Sequence, residues 1–351
     1  MIYMIRNNQQ FGPYDEPTLV SYVNNGQVLS CDKAKDSTTG EVSSVKVLLK
    51  KRGYKTQVQT AGSLMKQLKS IGFELIIPKS TLANRQWLSD KRLLSLGVIG
   101  LYPLLLQFVP FAGIPIVLHY LIALYFSVVW GVIFYYFFKT PQVSTKTTVS
   151  CFFLTQILIF VFWGLGVPAL NPMYHFCESP IPFKLLGFVF GVGLMEEFVK
   201  LCPLLFICHR AKEPIIPQTL VFYGLMSGIA FGVYEGVQYQ LTTNAELDYS
   251  TSYFLNIARM TSLPFLHAVW CGIAGYFISF AHLYPKYRMS LYFLALVIPM
   301  VLHGVYDTFC DSSLCFIISV PVMIVSVILL MTYLKQGVNY QSKLRNKYGK
   351  V

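Results

Sequence analysis

Acids are scarce in this chain. Of 351 residues 13% are charged, and 16 Asp and Glu stand against 28 Lys and Arg. With 54% hydrophobic residues and a mean hydropathy of +0.53, the composition excludes an ordinary soluble domain. The eight cysteines form no CxxC and no Cys/His array of zinc-finger spacing, which removes the common structural zinc and dithiol readings. HExxH, its inverse and GxSxG are all missing, so neither the usual zinc-protease helix nor a serine elbow is present. There is no basic stripe with interleaved aromatics, and nucleic acid is not an expected partner. The opening MIYMIRNNQQ is mixed and polar, so no cleavable signal peptide is expected.

What the chain does have is a succession of apolar runs. A membrane-spanning helix needs ~20 predominantly apolar residues. Eight such runs lie near 93–110, 114–138, 149–169, 184–208, 217–240, 254–282, 290–309 and 314–334. The first two share one uncharged stretch broken by Pro110, Gly113 and Pro115, read as a hairpin, with a long broken helix as the alternative. The expected fold is mainly α: a polytopic membrane bundle of about eight helices with a small α+β soluble domain at the N-terminus.

Charge sets the expected orientation. If the helices alternate, Lys91, Arg92, Lys139, Lys146, His209, Arg210, Lys212, Lys286, Arg288 and the tail Lys343, Arg345, Lys347 and Lys350 share one side. The opposite loops hold Glu178, Glu246, Asp248 and Asp311. Basic loops stay cytoplasmic and attract anionic lipid, so both termini are expected in the cytoplasm, with the net charge of +12 an orientation signal. Cys310 and Cys315 flank a short outer turn, where an oxidising compartment would let them pair.

The chain divides into residues 1–50, a basic, partly amphipathic connector at 51–90 suited to the membrane surface, a membrane core at 91–336 and a basic tail at 337–351. Within 1–50, Gln10-Phe11-Gly12-Pro13-Tyr14 reads as a turn, and Glu16 to Asn25-Gly26 as a short helix with a glycine stop. This pattern resembles the GYF-like domain. Gly40-Glu41 and then Val45 to Leu49 fit its closing strand or helix, while a tryptophan expected nearby is absent. The resemblance implies binding of extended or Pro-rich cytoplasmic peptides through Tyr3, Phe11 and Tyr14. The alternative is that these aromatics form the small core.

Ionisable residues inside the apolar runs carry the functional signal. A charge at mid-bilayer costs ~2.5–3.5 kcal/mol on insertion scales, so such residues are paired or functional. On a helix Glu196 and Glu197 lie about 40° and about 60° from Lys200, so one lysine can hold one glutamate ionised while the other exchanges a proton. His303 and Asp307 form an i,i+4 pair. Glu235 follows the small-residue run Gly224-x-x-x-Gly228-x-x-x-Gly232, which permits close helix approach. His267 follows Pro264 in a run that continues with Gly272 and Gly275. With alternating spans all of these reach one depth, at or somewhat outside the midplane.

Glu196-Glu197-Phe198-Val199-Lys200, Phe231-Gly232-Val233-Tyr234-Glu235, His267 and His303-Gly304-Val305-Tyr306-Asp307 together resemble the PrsW-type glutamic intramembrane proteases, whose motifs are EExxK, FxxxE, a lone histidine and HxxxD. That family is related to the membrane-embedded CAAX prenyl proteases, from which Glu235 and Asp307 depart at the ends of the second and third motifs. The resemblance implies an endopeptidase of the bacterial inner membrane that cuts a membrane-anchored protein, in the best-known case an anti-sigma factor. Carried over, it gives Glu196, Glu197, Glu235, His267, His303 and Asp307 as catalytic groups, with Lys200, Phe231 and Arg259 in support. A glutamate activates water, and histidines stabilise the oxyanion. A metal-free mechanism is expected. Zn²⁺ on His267, His303, Glu196 and Glu235 is the alternative. A proton- or ion-coupled transporter built on the same cluster is the second function class, opposed by the lack of paired broken helices.

Overall fold

The computed structural model describes the chain except residues 7–8, 57–61, 72, 85–87, 89–90, 92–115, 139, 212–213, 311, 313, 316 and 349–351. The expected first span at 93–110 and Asp311 lie outside the described residues. The described residues are mainly helical, 76%, with a small antiparallel sheet at the N-terminus.

That sheet has the order β2-β1-β3-β4, from β1 (Ile2–Arg6), β2 (Gln9–Tyr14), β3 (Lys33–Asp36) and β4 (Val42–Ser44). Gln10–Tyr14 is therefore strand rather than the expected turn. Between the pairs Met4↔Phe11 and Ile2↔Tyr14 the second strand takes one residue more than the first, and the bulge at Gly12-Pro13 absorbs it. Helix α1 (Glu16–Asn24) begins at an Asp15 cap, and its Leu19 and Val23 enter the core. Helix α2 (Val45–Lys51) closes the domain with Val45, Leu48 and Leu49 beside Ile2 and Met4. Arg52 pairs with Asp36 at 2.6 Å and with Glu16, tying the end of α2 to the sheet. Tyr14 packs on this core, edge to face with Tyr22, while Phe11 is exposed.

Short helices α3 (Leu64–Ile71), α4 (Phe73–Ile76) and α5 (Lys79–Ala83) form the connector. It meets the membrane helices through apolar packing, with Leu75 in their core and Leu68, Ile71 and Ile76 against it, and through two hydrogen bonds: Ser290 N–H donates to Gln67 Oε1 (3.2 Å), and Tyr333 Oη donates to Ile76 O (2.7 Å).

The bundle comprises α6 (Ile116–Phe138), α7 (Thr145–Gly164), α8 (Phe183–Leu186), a π-helical segment (Gly187–Gly193), α9 (Leu194–Arg210), α10 (Pro217–Leu241), α11 (Tyr249–Leu283), α12 (Arg288–Cys310) and α13 (Ser319–Tyr348). Each helix falls on an expected run, with ends shifted by a few residues. The largest shift is in α13, whose backbone stays helical into the basic tail. Among the described residues four helices are long and apolar enough to cross a membrane: Thr145–Gly164, Pro217–Leu241, Ser250–Leu283 and Pro285–Cys310. Helix α9 carries Glu196, Glu197, Lys200 and Arg210, and the apolar part of α13 is short, so neither qualifies on these terms.

Burial orders the bundle. Helices α10 and α11 are interior, 83% and 94% buried, whereas α7 is 22% buried and turns Phe153, Ile157 and Phe160 outward. An outer helix with that face is solvated by lipid, and the chain is an integral membrane protein. The α10–α11 contact is backbone to backbone: a Cβ at Gly228 would overlap His267 O. Helix α6 covers this pair, with Trp130 Nε1 donating to Thr261 O (3.1 Å) and Trp130 packed on Phe265.

The segments 140–144 and 214–216 meet at one end of the bundle. Gln142 Nε2 donates to Pro214 O (3.2 Å) and Ile216 N–H to Gln142 Oε1 (2.9 Å). Ile215 at that end also shares a cavity with Lys46 of the N-terminal domain and with Arg288. Arg210, Lys146, Arg288 and the N-terminal domain thus lie on one side, as the charge pattern led us to expect.

Candidate active site

Four helices bring the motif residues together. Helix α9 contributes Glu196, Glu197 and Lys200 from its first two turns. The π-helical segment sets its rotation: the extra residue per turn leaves glycines against two neighbours. A Cβ at Gly191 would meet the backbone of Tyr174 at 2.9 Å, and one at Gly304 of α12 would meet Val189 Cα at 2.5 Å. This close approach places Glu197 against His303.

Glu197 is fully buried and is the hub. Its Oε1 accepts from Lys200 Nζ (2.6 Å) and from His303 Nδ1 (2.8 Å). Lys200 Nζ, also fully buried, donates to His267 Nδ1 (2.7 Å) and lies over the Phe231 ring at 4.4 Å. An ammonium has donors only. His267 Nδ1 must then accept, so its Nε2 carries the proton and donates to Glu235 Oε2 (2.5 Å). His303 Nε2 points to the remaining acids, 3.1 Å from Asp307 Oδ2 and 3.7 Å from Glu196 Oε2. The i,i+4 spacing thus orients the imidazole, and Lys200 bridges the first motif to His267.

Two carboxylate oxygens, Glu196 Oε2 and Glu197 Oε2, are buried without a hydrogen-bond partner. An orphaned buried oxygen costs ~1–3 kcal/mol or more when charged, and it marks a place where a ligand or reactant binds. Glu196, His267 and His303 each offer one atom within 4.8 Å of the others, a nitrogen and oxygen set that suits a divalent ion with three protein ligands. These residues fit a metal, with one condition: His267 Nε2 must first pass its proton to Glu235. Glu235 falls outside that set and stands beside it as a proton acceptor.

Arg259 lies beside the cluster, within electrostatic reach of Glu235. It donates to Asn244 Oδ1 and lies 4.1 Å over the Tyr239 ring. Phe231 packs at 5.1 Å from the His267 ring. Tyr3, Phe11 and Tyr14 belong to the N-terminal sheet, with Tyr14 in its core. Cys310 and Cys315 are thiols, and Cys310 Sγ donates to Asp307 O at 3.4 Å.

Sequence reasoning missed Trp270. Its indole stacks on His303 at 4.5 Å and 19°, meets His267 edge-on at 5.6 Å, and is held by Nε1 donating to Ser326 Oγ (3.1 Å). The signal was the spacing His267-Ala268-Val269-Trp270, which puts both rings on one helix face. Thr155 and Ser227 were missed as well. Their hydroxyls bond at 2.9 Å, and Ser227 Oγ donates to Lys200 O, anchoring the turn that carries the lysine.

A polytopic membrane protein with acids, a lysine and two histidines pooled between four helices is built for proton-transfer chemistry away from bulk water. The comparisons name the family: the model for the PrsW family intramembrane metalloprotease matches residues 124–332, more than half of the chain, and the chain belongs to that family. Protease PrsW of Oceanobacillus iheyensis is 25% identical over 149 residues, covering 42% of this chain and 66% of that protein. Protease PrsW of Geobacillus kaustophilus is 28% identical over 117 residues, covering 33% of this chain and 48% of that one. No solved structure matches. All the clustered residues lie inside the matched segment, and the N-terminal sheet lies outside it.

Proposed function

We propose that the protein is an intramembrane endopeptidase that hydrolyses a peptide bond of a membrane-anchored protein, using Glu196, Glu197, Glu235, His267, His303 and Asp307. The observation that carries this is the single hydrogen-bonded chain from Asp307 through His303, Glu197, Lys200 and His267 to Glu235. A transporter relay would use similar groups, but the family match favours the protease.

The family's description and the donor set together favour a metal-assisted form, with Glu196, His267 and His303 as the holders. A bound Zn²⁺ there would lower the pKa of a water and polarise the scissile carbonyl. The chain's own residues then divide the work. Glu235, after releasing to solvent the proton it accepts from His267, would take the proton of the attacking water and return it to the leaving amine. Glu197 fixes the tautomer of His303, in the manner of carboxylates behind ligating histidines. Lys200 holds Glu197 and His267 in register, and Asp307 holds the other side of His303. The metal-free form is favoured by one observation, that both nitrogens of His267 already have partners. There a glutamate is the base, and the histidines bind the oxyanion, His267 by turning its Nε2–H from Glu235 to the oxyanion once Glu235 has taken the water's proton.

By the charge pattern both termini lie in the cytoplasm of a bacterial inner membrane, and the site opens toward the outside. Residues 1–50 recruit a cytoplasmic peptide or the tail of a substrate, raising its local concentration. An anti-sigma factor is the substrate class that the resemblance implies.

The test compares membrane-protein fragments in cells carrying wild type and Glu196→Gln. Fragments that vanish with Glu196→Gln identify substrates, and identical fragment patterns would remove the protease reading. Chelation followed by zinc addition to the purified protein separates the two forms of the mechanism.

A further inference from the structure

A cavity of about 370 Å³ lies between the N-terminal domain, the connector and the ends of the membrane helices. That is within the usual range for a small-molecule site, ~300–1,000 Å³. Lys46 of α2, His282 at the end of α11 and Arg288 at the start of α12 line it, with Ser30, Thr56 and Gln67.

Its chemistry is one-sided. No carboxylate is among the described lining residues, and neither Lys46 nor Arg288 is in an ion pair with a described carboxylate. Two basic residues that follow on α2 and at its end are neutralised: Lys51 pairs with Glu41, and Arg52 with Asp36 and Glu16. His282 is already engaged, with Nδ1 3.0 Å from Ile278 O and Nε2 3.4 Å from Tyr292 Oη. The anion-binding capacity therefore rests on Lys46 and Arg288. The backbone that carries each is anchored at the mouth, at Lys46 by its amide N–H on Ser30 O (3.0 Å) and near Arg288 by the Gln67–Ser290 bond two residues on. Lys46 and Arg288, with no described carboxylate paired to either, offer an anion in this cavity two charged donors.

The depth names the source of that anion. The span Ser250–Leu283 ends and the span Pro285–Cys310 begins at this cavity, which is the level of the headgroups. Ile215 and Met289 give it an apolar wall. We propose that this cavity binds the phosphate of an anionic phospholipid headgroup and that the lipid staples the N-terminal domain to α11 and α12. Basic pockets between membrane helices recognise headgroups in this way. Because α12 carries His303 and Asp307, the lipid sits on the helix that completes the active site.

The experiment uses the full chain in nanodiscs of phosphatidylcholine with and without phosphatidylglycerol, reading lipid retained per chain by native mass spectrometry and the melting temperature. Wild type should retain phosphatidylglycerol through delipidation and melt higher with it. The double variant Lys46→Gln/Arg288→Gln should bind it roughly 30-fold more weakly, the loss of two basic contacts at headgroup depth. A charge-matched control, Lys33→Gln/Lys50→Gln, should keep the lipid, as should the charge-preserving Lys46→Arg/Arg288→Lys. Equal retention by the double variant and wild type would overturn the proposal. Inorganic phosphate that stabilises wild type in pure phosphatidylcholine as well as phosphatidylglycerol does would also overturn it, assigning the site to a soluble phosphate.

Discussion

Replacing Glu197 by Gln removes the anion on which two cations or donors converge while keeping the side-chain shape. Glu197 and Lys200 are both fully buried and 2.6 Å apart, and the next carboxylate oxygen, on Glu196, is 4.0 Å from Nζ. Removing one partner of a buried pair costs ~3–5 kcal/mol, because the other charge stays buried. Lys200 keeps His267 and the more distant Glu196, so the lower end, about 3 kcal/mol, is expected. For a bundle that melts like a ~200-residue domain this is roughly 6–12 °C in Tm. The glutamine oxygen can still accept from both Lys200 and His303, but as a neutral acceptor it holds them more weakly, so the His303 ring is less firmly fixed and cleavage falls. The assay is a thermal melt in detergent with a substrate-cleavage time course. A second variant isolates the pair: Glu197→Gln/Lys200→Met should recover much of the stability, since an apolar replacement of a buried pair is often neutral, yet recover no cleavage. If Glu197→Gln melts and cleaves like wild type, Glu197 is not the hub. If the double variant loses the sum of both single losses, the two residues are not coupled.

Three other outcomes are expected. Gly228→Ala forces α10 from α11 at the level of His267; overpacking costs ~1–3 kcal/mol, and the misplaced histidine should lower cleavage by about 10²-fold, with unchanged activity contradicting the close approach. Trp270→Ala removes the ring stacked on His303 and should destabilise by ~3–5 kcal/mol, whereas Trp270→Phe keeps a ring there and should retain most cleavage, both read by melting and fragment yield. Hydrogen bonding from Thr251 holds the Asp248 carboxyl below 3.8, so its capping contribution is present above its unfolded value and lost as pH falls through the lower folded value. Protection factors for hydrogen exchange at 249–252 should therefore be flat near neutral pH and fall only below about pH 4.

The candidate site was largely legible because membrane burial makes ionisable residues rare. Glu196, Glu197, Lys200, Glu235, His267, His303 and Asp307 stand out against an apolar background, and helical spacing alone places Lys200 between two acids. The partners across helices were not legible. That Lys200 reaches His267, and that His303 turns its Nδ1 to Glu197, depends on how α9 is rotated by the π-helical segment at Gly187–Gly193. That segment is a tertiary compromise set by Tyr174 on one side and Gly304 on the other. Trp270 was hidden for the opposite reason: an aromatic in an apolar helix looks like ordinary core. Strand β2 was read as a turn because Gly12-Pro13 is a turn signal, and the pairing with β1 overrides it through a bulge. Arg259 sits eight positions before His267, and the sequence did not show that Asn244 and Tyr239 would hold its guanidinium within electrostatic reach of Glu235.

The central claim is that acids and histidines from four helices act as one hydrolytic unit. The most direct measurement is the cleavage rate of one membrane-anchored substrate by Glu196→Gln, His303→Asn and the double variant, in protein shown to be folded by melting. Groups that act as a unit are strongly non-additive, so the double variant should be no slower than the slower single one. Losses that multiply, or near-normal cleavage by either single variant, would contradict the account.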